Sequence, residues 1–370
     1  MVIHIFNPEH DISLAVNLKR FTLPKAVANL KEMFAFLPMI WADEGDLVLV
    51  NDVDKAVTSC SNLLSMSAEG GERKLANVQF VTPEMLVDDE LVARISGIDA
   101  WGMDAKLATG LLDINPHFAS LLPSAEALSE LRMTSARFWA ANHLMDELLR
   151  LPHTVGKVKQ FFDYDTLFRS LQSQRNYVVK APWSSSGRGV RLLEPRWRPA
   201  KEAQEGGVEV EIHQENWVKN IIRSQGSIMM EPYLEGKIMD FGVELEAVSG
   251  EIKYCGLSIF KAENGAYLGN LLDSELHKRS LLAAHIRLET LDLVMEKLLA
   301  LLKKHLPLWY NGPLGVDMMV LKDGEIAPMI ELNLRRTMGH VAIDLYSRTG
   351  KRGWMRLNPS NACVDIINIK

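Results

Sequence analysis

A chain of 370 residues, 47% hydrophobic and 24% charged, is long enough to bury a large core in two or three compact units, and this balance excludes disorder as its resting state. The net charge of −6, from 41 basic and 47 acidic side chains with no long block of like charge, argues against a nucleic-acid partner. Cys60, Cys255 and Cys363 are too scattered for a disulfide framework or a cysteine zinc site, the N-terminus lacks a leader-like pattern, and no stretch is apolar for a bilayer's width; the expected setting is the reducing cytoplasm, with no membrane partner.

Residues 2–6 are an apolar run ended by Asn7-Pro8, "LPKAVANLKEMFAFL" has helical spacing, and "DLVLV" at 46–50 is a second apolar run. Strand, helix, strand is the α/β signature. "VQFVTPEML" and "ISGIDAWGMD" continue it, so residues 1–105 are expected to form an open α/β domain. Over 106–150 the spacing in "SAEALSELRMTSARFWAANHLMDELL" predicts a helical bridge with Ser124 as an N-cap. Residues 151–232 read as helix "DYDTLFRSLQSQ", strand "YVVK", a Ser/Gly loop, strand "VRLLE", a Pro- and Gly-rich mobile insertion or tip over 195–210, helix "HQENWVKNIIRSQ" and strand "SIMMEPYL". In 233–370, "IMDFGVELEAV" and "IKYCGLSIF" alternate as antiparallel strands about Ser249-Gly250. One helix is expected over 280–305, its apolar stripe in the core and its exposed face open to a homodimer. "LGVDMMVLK" and "IAPMIELNL" then form a hairpin across Asp323-Gly324.

Three stretches carry chemistry. In "YVVKAPWSSSGRGV", Lys180 comes before the glycines, the reverse of a P-loop, which suits a lid whose backbone N–H groups fold over phosphates; a solvated hairpin is the plainer alternative. "MEPYLEGKIMD" offers Glu231 and main-chain groups to an adenine edge, with Asp240 placed later for ribose hydroxyls, or else only an amphipathic strand with surface acids. In "GVDMMVLKDGEIAPMIELNLRR", Asp317 on one strand with Glu331 and Asn333 on the next would put three oxygen ligands on one face, a donor set for Mg²⁺. "NPEHD" after the first strand makes Glu9, His10 and Asp11 substrate-loop candidates, unless Asp11 merely caps a helix; "WGMD", Trp101 to Asp104, ends another strand in a similar place. Lys261 or Asn270 belongs to an acceptor site or to a hairpin edge, and His340 to the cleft or to the framework.

In this order the three stretches resemble the ATP-grasp superfamily over about residues 123–344, and the preceding α/β domain is similar to its pre-ATP-grasp domain. The resemblance implies an α/β fold: a pre-ATP-grasp domain, then a two-lobed α+β ATP-grasp fold with a lid subdomain over 151–232 and a metal-bearing subdomain over 233–370. Lys180 would hold the α- and β-phosphates. The N–H groups of Ser185, Ser186, Gly187, Arg188 and Gly189 would cover the β- and γ-phosphates. Glu231, with the backbone near Leu234, would read adenine, and Asp240 the ribose. Asp317, Glu331 and Asn333 would hold one or two Mg²⁺, and Arg335 would steady a carboxylate or acyl phosphate. Arg132 in "ELRMTSAR" is the expected earlier phosphate-binding cation, with Arg137 as the alternative. The implied activity is ATP- and Mg²⁺-dependent joining of a small-molecule carboxylate to an amine or similar nucleophile through an acyl phosphate, releasing ADP and phosphate. The alternatives are an enzyme modifying a peptide or protein terminus, and a non-catalytic ATP-binding sensor.

Overall fold

A computed structural model describes residues 1–67, 74–172, 175–184, 189–198, 207–263 and 266–368. Four short strands, β1 (Val2–Ile5), β2 (Leu47–Leu49), β3 (Gln79–Val81) and β4 (Gly97–Ala100), form a parallel sheet in the order β3-β2-β1-β4. Parallel neighbours require crossovers, and the helices Lys25–Met33 and Val53–Ser67 lie in two of them. Both sheet faces are covered, which is why the strands are nearly all apolar: Ile3, Leu47 and Val81 are fully buried. Because β1 and β4 are neighbours, the loops 7–11 and 101–104 leave the same edge of the sheet side by side.

The strands β5 (Lys159–Phe161), β6 (Tyr177–Lys180), β7 (Val190–Leu193) and β10 (Ile228–Pro232) form an antiparallel sheet in the order β5-β10-β6-β7. Between them in sequence, β8 (Arg196–Arg198) and β9 (Gly207–Glu209) pair as a separate ribbon. The stretch 195–210, expected as a mobile insertion, thus contributes two paired strands, and residues 199–206 fall outside the described residues. Helix Ile212–Gln225 covers the sheet through Val218, which joins Phe161, Val179 and Ile228 in one core.

The largest sheet is antiparallel throughout and contains β11 (Lys237–Val248), β12 (Glu251–Glu263), β13 (Ala266–Leu272), β14 (Gly312–Leu321), β15 (Ile326–Asn333), β16 (Gly353–Asn358) and β17 (Cys363–Ile367). Its order is β15-β14-β11-β12-β13-β16-β17. Both expected hairpin turns are present: Ser249 and Gly250 have φ of 52° and 79°, and Asp323 and Gly324 have 69° and 76°, the paired positive values that a tight hairpin needs. Alternation sorts the sheet's residues by face. Phe241, Val243 and Leu245 on β11, with Leu314, Val316 and Val320 on β14, are buried against Leu291, Val294, Leu298 and Leu302 of helix Leu288–His305. The residues between them, Gly242, Glu244, Gly315 and Asp317, turn to the other face. Helix Met338–Thr349 packs there, and its Val341 and Leu345 share a core with Phe34, Trp41 and Val48, which joins the parallel sheet to the large one.

Two expected helices are broken, each for a packing reason. The single helix expected over 280–305 is two, Glu275–Ala283 and Leu288–His305, because the intervening turn brings both Leu282 and Ile286 into the core under the second helix. The bridge helix that Ser124 caps stops at Thr134; Ala136 is extended, at φ −75° and ψ 140°, and a new helix begins at Arg137. There the Arg137 N–H bonds to Pro182 O, just past the end of β6, at 3.1 Å. No helix among the described residues is long and apolar enough to cross a membrane.

Candidate functional site

The β14–β15 hairpin sets Asp317 directly opposite Glu331 and Gly315 opposite Asn333, so the three expected ligands share one face. Asn333 Nδ2 donates to Asp317 Oδ2 at 3.3 Å, which leaves the amide oxygen of Asn333 free of that bond. Desolvation, then the charges of Glu331 and Glu244, push the Asp317 carboxyl up to about 8. Carboxyl groups that resist ionising side by side, with an amide oxygen among them, are a donor set that fits a hard divalent cation, which would displace the proton. Among the described residues no three His, Cys, Asp or Glu side chains form a metal cluster, so a cation here would rest on two carboxylates and the Asn333 amide.

Cations answer the carboxylates. Arg137 Nη2 lies 2.5 Å from Glu331 Oε1, and its Nη1 donates to Ala181 O at 2.6 Å and to Ser184 Oγ at 2.7 Å. The break at Ala136 aims this arginine into the cleft. Arg132, the expected phosphate cation, faces another way: its Nε donates to Leu14 O at 2.7 Å and its guanidinium lies 3.6 Å from the Trp183 ring centroid. The structure therefore brings Arg137, and not Arg132, to the acidic hairpin. Lys180, at the end of β6, is buried; its Nζ lies 2.7 Å from Glu231 Oε2 on neighbouring β10 and donates to Ile330 O at 3.2 Å, tying the β5-β10-β6-β7 sheet to β15.

A third arginine meets the first domain. Arg335 Nε lies 2.9 Å from Asp11 Oδ1 and its Nη2 lies 2.8 Å from Asp11 Oδ2, a two-pronged pair between residues 324 apart in sequence. Burial opposes ionisation of Asp11, yet the Arg335 charge holds its carboxyl below the usual range. Helix His10–Val16 has Glu9 at its N-cap, so Asp11 is not the cap that its sequence permits. The loop is held from behind by Asp104: His10 Nδ1 lies 3.0 Å from its Oδ2, and its Oδ1 accepts from Ser13 Oγ at 2.9 Å and from the N–H groups of Lys106 and Leu107. Gly102 is needed beside it, because a Cβ there would stand 2.4 Å from the His10 ring. Of the three loop candidates, His10 and Asp11 line the cleft with Arg137, Trp183, Glu331 and Asn333. Glu9 does not: it is buried against Lys31 at 2.6 Å.

The remaining expected residues are more dispersed. Ala181 N bonds to Gly189 O at 2.8 Å, closing the base of the Ser/Gly loop, whereas Ser185, Ser186, Gly187 and Arg188 fall outside the described residues. Leu234 is half-buried between β10 and β11, and Asp240 pairs with Lys237 at 2.8 Å on the outer part of β11. Lys261 stacks on Trp354 at 4.2 Å, and Asn270 is buried and accepts from Tyr267 OH at 2.6 Å. His340 belongs to the framework: its Nδ1 lies 3.0 Å from Glu244 Oε2 and its Nε2 3.0 Å from Leu245 O. Glu244 is the residue that sequence reading missed. Its alternation in "FGVELEAV" looks like a solvated face, and the signal was the set of small partners Gly242, Gly315 and Gly339 that leave room for its carboxylate.

No protein-family model matches the chain, and no curated protein matches it. Solved structures do. A biotin carboxylase from Campylobacter jejuni, solved as a β-γ-ATP complex, is 15% identical, covers 99% of this chain and 73% of its own, and has a TM-score of 0.50. The biotin carboxylase domain of a Hydrogenobacter thermophilus 2-oxoglutarate carboxylase is 13% identical over 95% of this chain and 70% of its own, with a TM-score of 0.48. An N5-carboxyaminoimidazole synthetase from Staphylococcus aureus, complexed with ADP, is 11% identical over 99% and 79%, with a TM-score of 0.46. The likeness to the Campylobacter enzyme extends over 99% of this chain, and the fold of this chain is the ATP-grasp fold.

Proposed function

We propose that the protein is an ATP- and Mg²⁺-dependent ligase that joins a carboxylate to an amine or similar nucleophile. The observation that carries this reading is that Arg137, Glu331 and Asn333 line one cleft with Asp11, that Asp317 faces Glu331 across the hairpin, and that Arg335 pairs with Asp11 while Lys180 reaches Ile330 O beside Glu331. Residues 1–105 act as the pre-ATP-grasp domain, 106–150 as the bridge, 151–232 as the lid subdomain and 233–370 as the metal-bearing subdomain.

Asp317, Glu331 and Asn333 hold the divalent cation, which supplies charge neutralisation at the nucleotide's phosphates when bound. Lys180 and Arg137 contact the phosphates, exchanging their present partners Glu231 and Glu331 for phosphate oxygens. Glu231, the backbone near Leu234 and Asp240 receive the adenosine. A substrate carboxylate oxygen attacks the γ-phosphorus; the β–γ bridging bond breaks, its electron pair leaving on ADP. Arg335 neutralises charge on the transferring phosphoryl group and on the acyl phosphate, and the nucleophile then displaces phosphate at the acyl carbon. The site works chiefly by holding reactants in line in a cleft that limits water.

The test is ADP release from ATP and Mg²⁺ by the full chain against a panel of amino acids, dipeptides and small dicarboxylates, with Glu331→Ala as the blank. Stimulation by one carboxylate that the variant lacks is the expected result. Nucleotide binding with no stimulation by any of them overturns the small-molecule ligase reading and favours a peptide-terminus acceptor or a sensor.

A further inference from the structure

Arg335 has five N–H groups, and the described residues engage three. Nε–H and one N–H of Nη2 meet the Asp11 carboxylate at 2.9 and 2.8 Å, and Nη1 donates to Arg336 O at 3.1 Å. One N–H on each terminal nitrogen is left without a partner among the described residues. A guanidinium is flat, so a carboxylate held on its Nε/Nη2 edge fixes the plane and direction of everything else it can donate. Asp11 is well placed to fix it, because it stands on the first turn of helix His10–Val16, whose entry is anchored by Asp104 through His10 and Ser13. Arg335, by contrast, sits in the segment after β15, where Asn333 is the last strand residue and the next helix starts at Met338.

We infer that Asp11 is the positioning residue for Arg335: from the first domain it holds one edge of the guanidinium, so that the remaining N–H groups of both terminal nitrogens are presented to the transferring phosphoryl group. The inference rests on the ligase reading and adds a dependence across the domain boundary. Asp11 touches no reacting atom. Ground-state nucleotide, held by Lys180, Arg137 and the acidic hairpin, should be indifferent to it, whereas a mimic of the transferring group should not.

The experiment compares Mg²⁺·ATPγS with Mg²⁺·ADP plus aluminium fluoride, by calorimetry on the full chain, in wild type, Asp11→Asn, Asp11→Glu, Arg335→Lys and the Asp11→Asn/Arg335→Lys double variant. The expected result is ATPγS affinity within about threefold in all five proteins, and fluoride-complex affinity about tenfold or more weaker in Asp11→Asn, partly restored in Asp11→Glu. The double variant should be no weaker than Arg335→Lys, since the two residues act as one unit. Equal weakening of both ligands by Asp11→Asn, or additive losses in the double variant, overturns the positioning role in favour of a merely structural one. A wild type that fails to bind ATPγS overturns the ligase reading itself, which separates the two failures; the thermal midpoint of each variant shows whether it is folded.

Discussion

Replacing His340 by Gln would isolate one buried charge. Glu244 is 1% exposed and accepts from Ser258 Oγ and Thr337 Oγ1, each at 2.7 Å, with His340 Nδ1 at 3.0 Å. Leu245 O, a carbonyl that only accepts, fixes a proton on His340 Nε2, while Nδ1 faces Glu244 and also lies 3.3 Å from the Thr337 backbone nitrogen, and it takes the second proton when the ring is charged. Burial opposes that charge, but Glu244 more than offsets it and lifts the His340 pKa from 6.5 to about 9. A pKa raised by folding stabilises fully below the unfolded value, so the contribution is complete below pH 6.5 and is lost as pH rises through about 9. The shift corresponds to ~3 kcal/mol. His340→Gln leaves the Glu244 carboxylate buried and without its cation, at a cost of about 3–5 kcal/mol near pH 6. Urea unfolding followed by tryptophan fluorescence, in steps from about pH 6 to pH 10, should show a wide gap between the two proteins that narrows by ~3 kcal/mol as the wild type loses its imidazolium. A gap that stays constant across that range refutes the assignment of the charge to this pair.

Arg137→Ala should weaken Mg²⁺·ATPγS binding about 10- to 100-fold, the worth of one or two charge-assisted hydrogen bonds, while Arg132→Ala should stay within about threefold; calorimetry that finds the reverse order would restore Arg132 to the phosphates. In Gly339→Ala the new Cβ would stand 1.9 Å from Glu244 Oε1, and neither the buried carboxylate nor the helix start has room to yield. Its expected cost is about 1–3 kcal/mol, read as a lower urea midpoint, and an unchanged midpoint would show that the Glu244 niche is not tightly packed.

Much of the fold is legible locally. The apolar runs of β1 and β2, the alternation of β11 and β12, and the Ser-Gly and Asp-Gly turns each state their structure within a few residues, because strand period and turn torsions are short-range properties. The acidic hairpin is legible in part: period two puts Asp317, Glu331 and Asn333 on one face, but the register beside the turn pairs Met319 with Ala327, and only an irregularity between Asp317 and Met319 brings Asp317 opposite Glu331. The helix breaks at 135–136 and 284–287 were not, since helical spacing runs through both and only the competing bonds to Pro182 O, or the pull of Ile286 into the core, stop it.

By itself the sequence determined the order of strands and helices, the oxygen donors of the hairpin, and Lys180 at the end of a strand ahead of its loop. Tertiary structure decided which charges meet. It chose Arg137 over Arg132 by bonding the chain at Arg137 to Pro182, it joined Asp11 to Arg335 across 324 positions, and it sank Glu244 into a niche left by three glycines from three elements. The reason is physical. A pattern along the chain records which way a side chain points from its own backbone, whereas the environment that desolvates and pairs a charge is built by segments far away in sequence.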